Sequence, residues 1–203
     1  MPEKNNIAAI VLAAGASSRF GTNKLLHPLT LGGVTKPLIA HSLMPWLEVF
    51  EQVTIVVGKD SNQFCNDVDT ALGKLSASAI NWIACEDSAS GMSASLACGV
   101  RANINAAGWL IGLSDMPKLP SAAISGVFNA ILEGASLAAP FCNDERGHPV
   151  GFSSYYKEDL LVLQGDTGAK QIIKRDKASL IKVNVEDNGI FVDVDTLTDL
   201  QNI

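Results

Sequence analysis

Five short stretches of this chain are apolar at nearly every position: Ile7–Ala13, Gln52–Val57, Ala79–Ala84, Trp109–Leu113 and Leu137–Pro140. A strand with one wet face would alternate apolar and polar residues. An unbroken apolar run this short is the mark of a strand buried on both faces, as in a parallel sheet covered by helices. Helical periodicity fills the intervals. Over Ser121–Glu133 the apolar positions Ile124, Val127, Phe128, Ile131 and Leu132 fall on one helix face, and over Pro37–Leu47 so do Ile39, Leu43, Trp46 and Leu47. Asp60–Leu75 and Met92–Asn105 read as weaker helices. Strands alternating with helices predict a three-layer, mostly parallel α/β sheet. The last third departs from this rhythm. Pro149–Phe152 reads as a strand, Tyr155–Leu163 and Ala169–Arg175 as short helices, and Leu180–Val185 with Ile190–Val194 as a β pair about an Asp187-Asn188-Gly189 turn. A small α+β C-terminal extension on one domain, residues 1–203, is the expected organisation.

Composition narrows the function. Of 203 residues, 47% are hydrophobic and 18% charged, which supplies a large core and excludes disorder. The formal net charge is −6. A nucleic-acid groove would need clustered Lys and Arg, so no nucleic-acid partner is expected. An acidic chain that binds an anion must do so locally. Cys65, Cys85, Cys98 and Cys142 form no CxxC pair and no zinc ladder. The first apolar run is too short to span a membrane and is preceded by one acid and one base rather than a basic segment. A cytoplasmic protein with four thiols is expected.

The first strand runs into Leu12-Ala13-Ala14-Gly15-Ala16-Ser17-Ser18-Arg19-Phe20-Gly21-Thr22-Asn23-Lys24. A small-residue loop at this position of an α/β sheet is where ligands bind, because the backbone can be approached closely and its N–H groups can face a phosphate. Arg19 and Lys24 bring positive charge to it. The string is neither of two common phosphate loops. Ser17 stands where GxGxxG needs its second glycine, and the spacing from Gly15 to Lys24 does not fit GxxxxGK[ST].

Two further strings lie after strands. Glu86 to Leu96 contains Asp87, Ser93 and Ser95 in a Ser/Gly-rich setting that suits either helix capping or nucleoside contact. Gly112-Leu113-Ser114-Asp115-Met116-Pro117 puts a carboxylate at the C-terminal edge of a buried strand, the ligand side of such a sheet. Triphosphate oxygens call for a hard cation, and Mg²⁺ is commonly held by one or two carboxylates plus phosphates and water. Asp115 is the leading metal-ligand candidate.

The loop resembles the LAAGxSxRxGxxK signature of the molybdopterin nucleotidyltransferases, and within them the molybdenum cofactor cytidylyltransferases. The guanylyl branch typically has Gly where this chain has Ala14. Gly91–Leu96 resembles the family's GMSxSL element and Ser114–Pro117 its GDMP motif, with Ser114 for Gly. Arg146–Val150 resembles RGHPV. Gly165–Lys170 resembles GDxGAR, with Lys170 for Arg, which loses bidentate geometry. Val192–Thr196 resembles the DIDTP ending. The resemblance implies a Rossmann-like nucleotidyltransferase topology. It implies that Leu12, Ala13 and Ala14 line the base, with Gly15 in the same nucleotide-binding loop, that Arg19 and Lys24 hold the triphosphate, and that Asp87, Ser93 and Ser95 contact the nucleoside. His148, Asp166 and Gly168 are the expected acceptor pocket. Asp195 is the expected second Mg²⁺ ligand, and Asp193 a weaker one if both lie on a strand facing one side. The implied reaction moves CMP from Mg·CTP to the terminal phosphate of molybdopterin cofactor and releases pyrophosphate. Transient contact with a molybdoenzyme or its chaperone is a further expectation. The rivals are the same chemistry with GTP or another phosphorylated acceptor, a non-catalytic cofactor-binding or insertion protein, and an oxidoreductase, against which the missing GxGxxG counts.

Overall fold

The computed structural model describes residues 6–15, 23–201 and 203. Its strands are β1 (Ile7–Leu12), β2 (Pro28–Leu31), β3 (Val34–Pro37), β4 (Val53–Gly58), β5 (Ile80–Cys85), β6 (Gly108–Leu113), β7 (Leu137–Cys142), β8 (Glu145–Arg146), β9 (Val150–Ser153) and β10 (Leu180–Asn184). Its helices are α1 (Leu38–Leu47), α2 (Asn62–Leu72), α3 (Lys74–Ala77), α4 (Met92–Ala102), α5 (Ser121–Leu132), α6 (Lys157–Leu161), α7 (Lys170–Arg175) and α8 (Leu197–Gln201), with 3₁₀ turns between several of them.

One eight-stranded sheet dominates, in the order β10-β7-β9-β6-β1-β4-β5, with β8 attached to β7. β1 pairs in parallel with both β4 and β6, and β4 with β5. β9 is antiparallel to both its neighbours, β6 and β7. The five apolar runs are thus all strands of one sheet, four of them side by side and mutually parallel and the fifth, β7, beyond β9.

Strand alternation sends successive side chains to opposite faces, and two cores result. Ala9 and Val11 of β1, Val53, Ile55 and Val57 of β4, and Leu110 of β6 face a core that α1, α2 and α5 cover with Leu43, Trp46, Val68 and Ile124. Ile10 and Leu12, Val56, Trp109 and Ile111 face the other, covered by α4, α6 and α7 through Leu96, Val100, Leu160 and Ile172. Helices on both faces of a mostly parallel sheet confirm the three-layer expectation.

The C-terminal third differs from the sequence reading. Ile190–Val194 is not a strand. Residues Asn188–Phe191 form a 3₁₀ turn, entered by an Asx turn in which Gly189 N donates to Asp187 Oδ1 at 2.7 Å. The Asp-Asn-Gly string therefore starts a helical turn rather than a hairpin. β10 has no hairpin partner and instead runs parallel to β7, closing one edge of the main sheet. The expected extension is accordingly woven into that sheet. The Asp60–Leu75 helix is divided by Gly73, at φ 82°, into α2 and α3. The structure adds a hairpin at Pro28–Pro37. Its two-residue turn is Gly32-Gly33, both at positive φ, the conformation that tight hairpins demand.

The direction in which the sheet adds strands reverses between β1 and β6. From β1 the sheet grows outward through β4 and β5, while β6 starts the other half. Such a switch point leaves a crevice at the C-terminal strand ends, where ligands bind in open α/β sheets. Leu12 is level with Leu113 across it. The segments that leave these two strand ends therefore form the candidate site.

Candidate active site

The two strand ends are laced together beyond the sheet. Ala13 N donates to Val56 O at 2.8 Å and Ser114 N to Leu12 O at 3.2 Å. These bonds hold Asp115 beside the first loop. Val194 N in turn donates to Asp115 O at 3.0 Å, which brings the C-terminal segment to the same edge. Thr196 and Asp199 then lock that segment by a reciprocal cap at the start of α8. Thr196 N donates to Asp199 Oδ2 at 2.6 Å, and Asp199 N to Thr196 Oγ1 at 3.3 Å. Asp195 N donates to the same carboxylate oxygen at 2.9 Å.

Lys24 is delivered from the other side. Asn23 Oδ1 accepts from Leu25 N at 3.2 Å and so caps the 3₁₀ turn Lys24–Leu26. The Lys24 ammonium donates to Asp115 Oδ2 at 2.8 Å, to Val194 O at 2.8 Å and to Asp195 Oδ1 at 3.0 Å. The Lys24 and Asp115 side chains are 14% and 20% exposed, and that of Asp195 is 54% exposed. Burial alone would lower the lysine pKa, but Asp115 first and Asp195 second outweigh it and hold it above the usual value. Asp193 lies close by, and its carboxyl is pushed up by burial and then by the Asp115 charge. Asp193 and Asp195 thus lie near Asp115, carried there by a capped loop and not by the strand that the sequence suggested.

Asp115 Oδ1 is buried and without a hydrogen-bond partner. A carboxylate oxygen in that state retains its lone pairs for a cation. Two carboxylates share one ammonium, so their oxygens are no more than about two hydrogen-bond lengths apart. Among the described residues, no three His, Cys, Asp or Glu side chains are arranged to hold an ion by themselves. An ion at this edge would need oxygens from a substrate, which is how Mg²⁺ is commonly bound.

The remaining sequence candidates are distributed around this edge. Leu12 and Ala13 are buried, Ala14 is half-buried and Gly15 exposed. Among the described residues nothing lies within 4 Å of a Cβ placed on Gly15. Arg19 lies outside the described residues. Asp87 is exposed at the turn after β5, whereas Ser93 and Ser95 on α4 are buried, and Ser93 Oγ has no partner. Asp166 and Gly168 pack on the start of α4. Asp166 Oδ1 accepts from Met92 N at 3.3 Å and Gly165 O from Ser93 N at 3.0 Å. A Cβ on Gly91, which sits at φ 112°, would run into Asp166 Oδ1 and lie 2.7 Å from Gly165 O. His148 is tied to a different segment. Its N donates to Ile190 O at 3.1 Å, and its buried Nδ1 has no partner. Burial first, then Arg146 and Lys170, push its pKa down to about 4, so the ring is neutral at pH 7. The structure thus brings Lys24, Asp115 and Asp195 together, and sets Asp166 and Gly168 against the start of α4. Sequence reasoning missed the Val194 carbonyl, for which a backbone oxygen leaves no signal.

The model of the MobA-like NTP transferase domain matches residues 9–180. The chain belongs to this family. It is therefore an enzyme of the nucleotidyltransferase class, acting on small-molecule nucleotides. No curated protein sequence matches this chain. Among solved structures it is similar to the homologue of Mycobacterium tuberculosis Rv0371c from Mycobacterium sp. strain JC1, at 25% identity and TM-score 0.76, over 97% of this chain and 93% of that one. The manganese complex of Rv0371C from M. tuberculosis H37Rv shares 23% identity at TM-score 0.74, over 97% of each chain. A nucleotidyl transferase from Methanothermobacter thermautotroptrophicus, Mth528, shares 23% identity at TM-score 0.72, over 98% and 95%. All share the fold. The four cysteines are free, and no helix among the described residues is long and apolar enough to cross a membrane.

Proposed function

We propose that this MobA-like nucleotidyltransferase moves CMP from Mg·CTP to the terminal phosphate of molybdopterin cofactor and releases pyrophosphate. The observation that carries the reading is the meeting of Asp115, Asp195 and Lys24 at the switch point between β1 and β6. The preference for cytidine rests on Ala14 in the first loop, and the acceptor on the ordered strings from residue 12 to residue 196 that resemble the cofactor enzymes.

Asp115 and Asp195 are the residues that would hold Mg²⁺, and the unpartnered Asp115 Oδ1 suits that role. When bound there, the ion supplies electrostatic stabilisation to triphosphate oxygens and to the leaving pyrophosphate. In the absence of ligands the Lys24 ammonium neutralises the carboxylates. With a divalent ion held there, Lys24 would be free to pair with the triphosphate oxygens, a role the first-loop string also suggests for Arg19. An oxygen of the acceptor phosphate forms the new bond to the α-phosphorus, and the bond from that phosphorus to the bridging oxygen of the β-phosphate breaks. A phosphate monoester has a second pKa of about 6, so it is already mostly ionised at neutral pH and needs no general base. The protein's contribution is positioning and charge neutralisation.

Asp115→Asn tests this assignment. It keeps the shape and one acceptor for Lys24 while removing the charge. The variant is expected to fold, to lose transfer, and to lose Mg²⁺-dependent tightening of CTP binding in calorimetry. Normal Mg²⁺-dependent turnover by Asp115→Asn would remove the metal role.

A further inference from the structure

Five of the chain's fifteen lysines and arginines line one cleft. Arg146 from β8, Lys170 and Lys174 from α7, Lys177 from the turn after it and Lys182 from β10 surround a cavity of about 400 Å³. Phe141, Ile173 and Leu180 give it an apolar floor. Among the described residues Asp144 is its sole acidic lining residue, and its carboxylate is engaged by Lys182 at 2.8 Å. Lys182 also rides over the Phe141 ring, 4.9 Å from its centroid. Among the described residues, Arg146, Lys170, Lys174 and Lys177 make no salt bridge at all.

This concentration runs against the rest of the molecule. The chain carries a net −6, so the surface outside the cleft is more acidic still. Scattered solubilising lysines would be interleaved with carboxylates, as Arg175 is with Asp159 and Asp176 on the neighbouring surface of the same helix. Like charges crowded on one concave wall repel each other unless an anion sits among them. Arg146 makes the point most sharply. It is half-buried, burial lowers its pKa, and among the described residues its guanidinium makes one hydrogen bond, a long one of 3.5 Å to Gly147 O. A half-buried guanidinium without a carboxylate is costly, and an incoming anion removes that cost.

We infer that the cleft between α7, β8 and β10 is a binding site for a phosphorylated small organic molecule, its anionic group held by Arg146, Lys170, Lys174 and Lys177 and its apolar body set on Phe141, Ile173 and Leu180. The site is distinct from the Asp115–Lys24 edge and does not depend on which nucleotide that edge takes. Its size and acidic surroundings suit a small molecule and not a nucleic-acid backbone. The ligand has two sources, the phosphorylated acceptor of the transfer reaction or a separate phosphorylated effector.

The test uses 1-naphthyl phosphate and inorganic phosphate, titrated against the full chain at low salt by calorimetry. Naphthyl phosphate is expected to bind about tenfold or more tightly than phosphate, because of the apolar floor. Lys174→Glu with Lys177→Glu, both exposed, is expected to weaken both ligands at least about tenfold without moving the thermal midpoint. Lys174→Ala with Lys177→Ala should give a smaller loss in the same direction. The absence of binding, equal affinity for both probes, or binding undiminished in the charge-reversed pair overturns the site. In turnover assays, competition between naphthyl phosphate and the acceptor identifies the acceptor as the source. A rate change without competition identifies an effector. The binding measurement stands without turnover, so its failure is distinguishable from failure of the proposed reaction.

Discussion

Replacing Lys24 by methionine keeps most of the stem and removes the charge that Asp115, Val194 O and Asp195 share among the described residues. Its consequence can be worked from the site. The Asp115 contact is 2.8 Å long between side chains only 14% and 20% exposed. A hydrogen bond to a charged group contributes about 1.5–3 kcal/mol net, and a buried carboxylate left without its cation carries a further desolvation cost. The Asp195 contact is more than half exposed on the carboxylate side and adds only about 0.2–1 kcal/mol. The expected loss is about 3 kcal/mol. For a chain of 203 residues that corresponds to a thermal midpoint lower by about 6–12 °C. The assay is thermal unfolding at neutral pH without divalent ions. The lysine pKa is raised on folding, so its contribution is complete below the ordinary value of 10.5 and fades only as pH rises through the folded value. Lys24→Met combined with Asp115→Asn should cost clearly less than the sum of the two, because they remove one shared interaction. A shift below about 2 °C, or additive losses, would refute the reasoning.

Two other perturbations rest on particular contacts. His148, held to about 4 by burial and by Arg146 and Lys170, is depressed below its ordinary 6.5, so the protein should lose stability as pH falls through that window. The loss amounts to about 3 kcal/mol by the time pH has fallen to the folded value of about 4, and His148→Gln should flatten it in urea titrations at several pH values. Equal slopes in the two proteins would contradict the burial argument. Gly91→Ala should destabilise by about 3 kcal/mol, since an alanine at that positive φ is strained and its Cβ meets Asp166 and Gly165. Wild-type stability of that variant in denaturant would show that the Gly165–Gly168 loop is not fixed against α4.

The layer architecture was legible because its signal is local and redundant. Each central strand is apolar on both faces, and α1 and α5 show a clean stripe, so period and length agree. The C-terminal segment misled for an equally local reason. Asp187-Asn188-Gly189 supports a hairpin and an Asx-started 3₁₀ turn alike, and only the parallel register of β10 on β7 decides between them. That register is a long-range pairing with no trace in nearby residues. The same limit applies to the site. Asp115 could be placed from its strand, and Asp195 suspected from its string. That Lys24 bridges both is a three-body contact between segments 91 and 171 residues apart. Lys174, Lys177 and Lys182 belong to no motif at all, and their convergence with Arg146 and Lys170 exists only once α7 packs beside β10.

Pyrophosphate release addresses the central claim most directly. The full chain, Mg²⁺ and molybdopterin cofactor are incubated with each of the four nucleoside triphosphates in turn. Release is expected with CTP, none without the cofactor, and none from Asp115→Asn. Faster release with GTP, or cofactor binding with no release from any nucleotide, would contradict that claim.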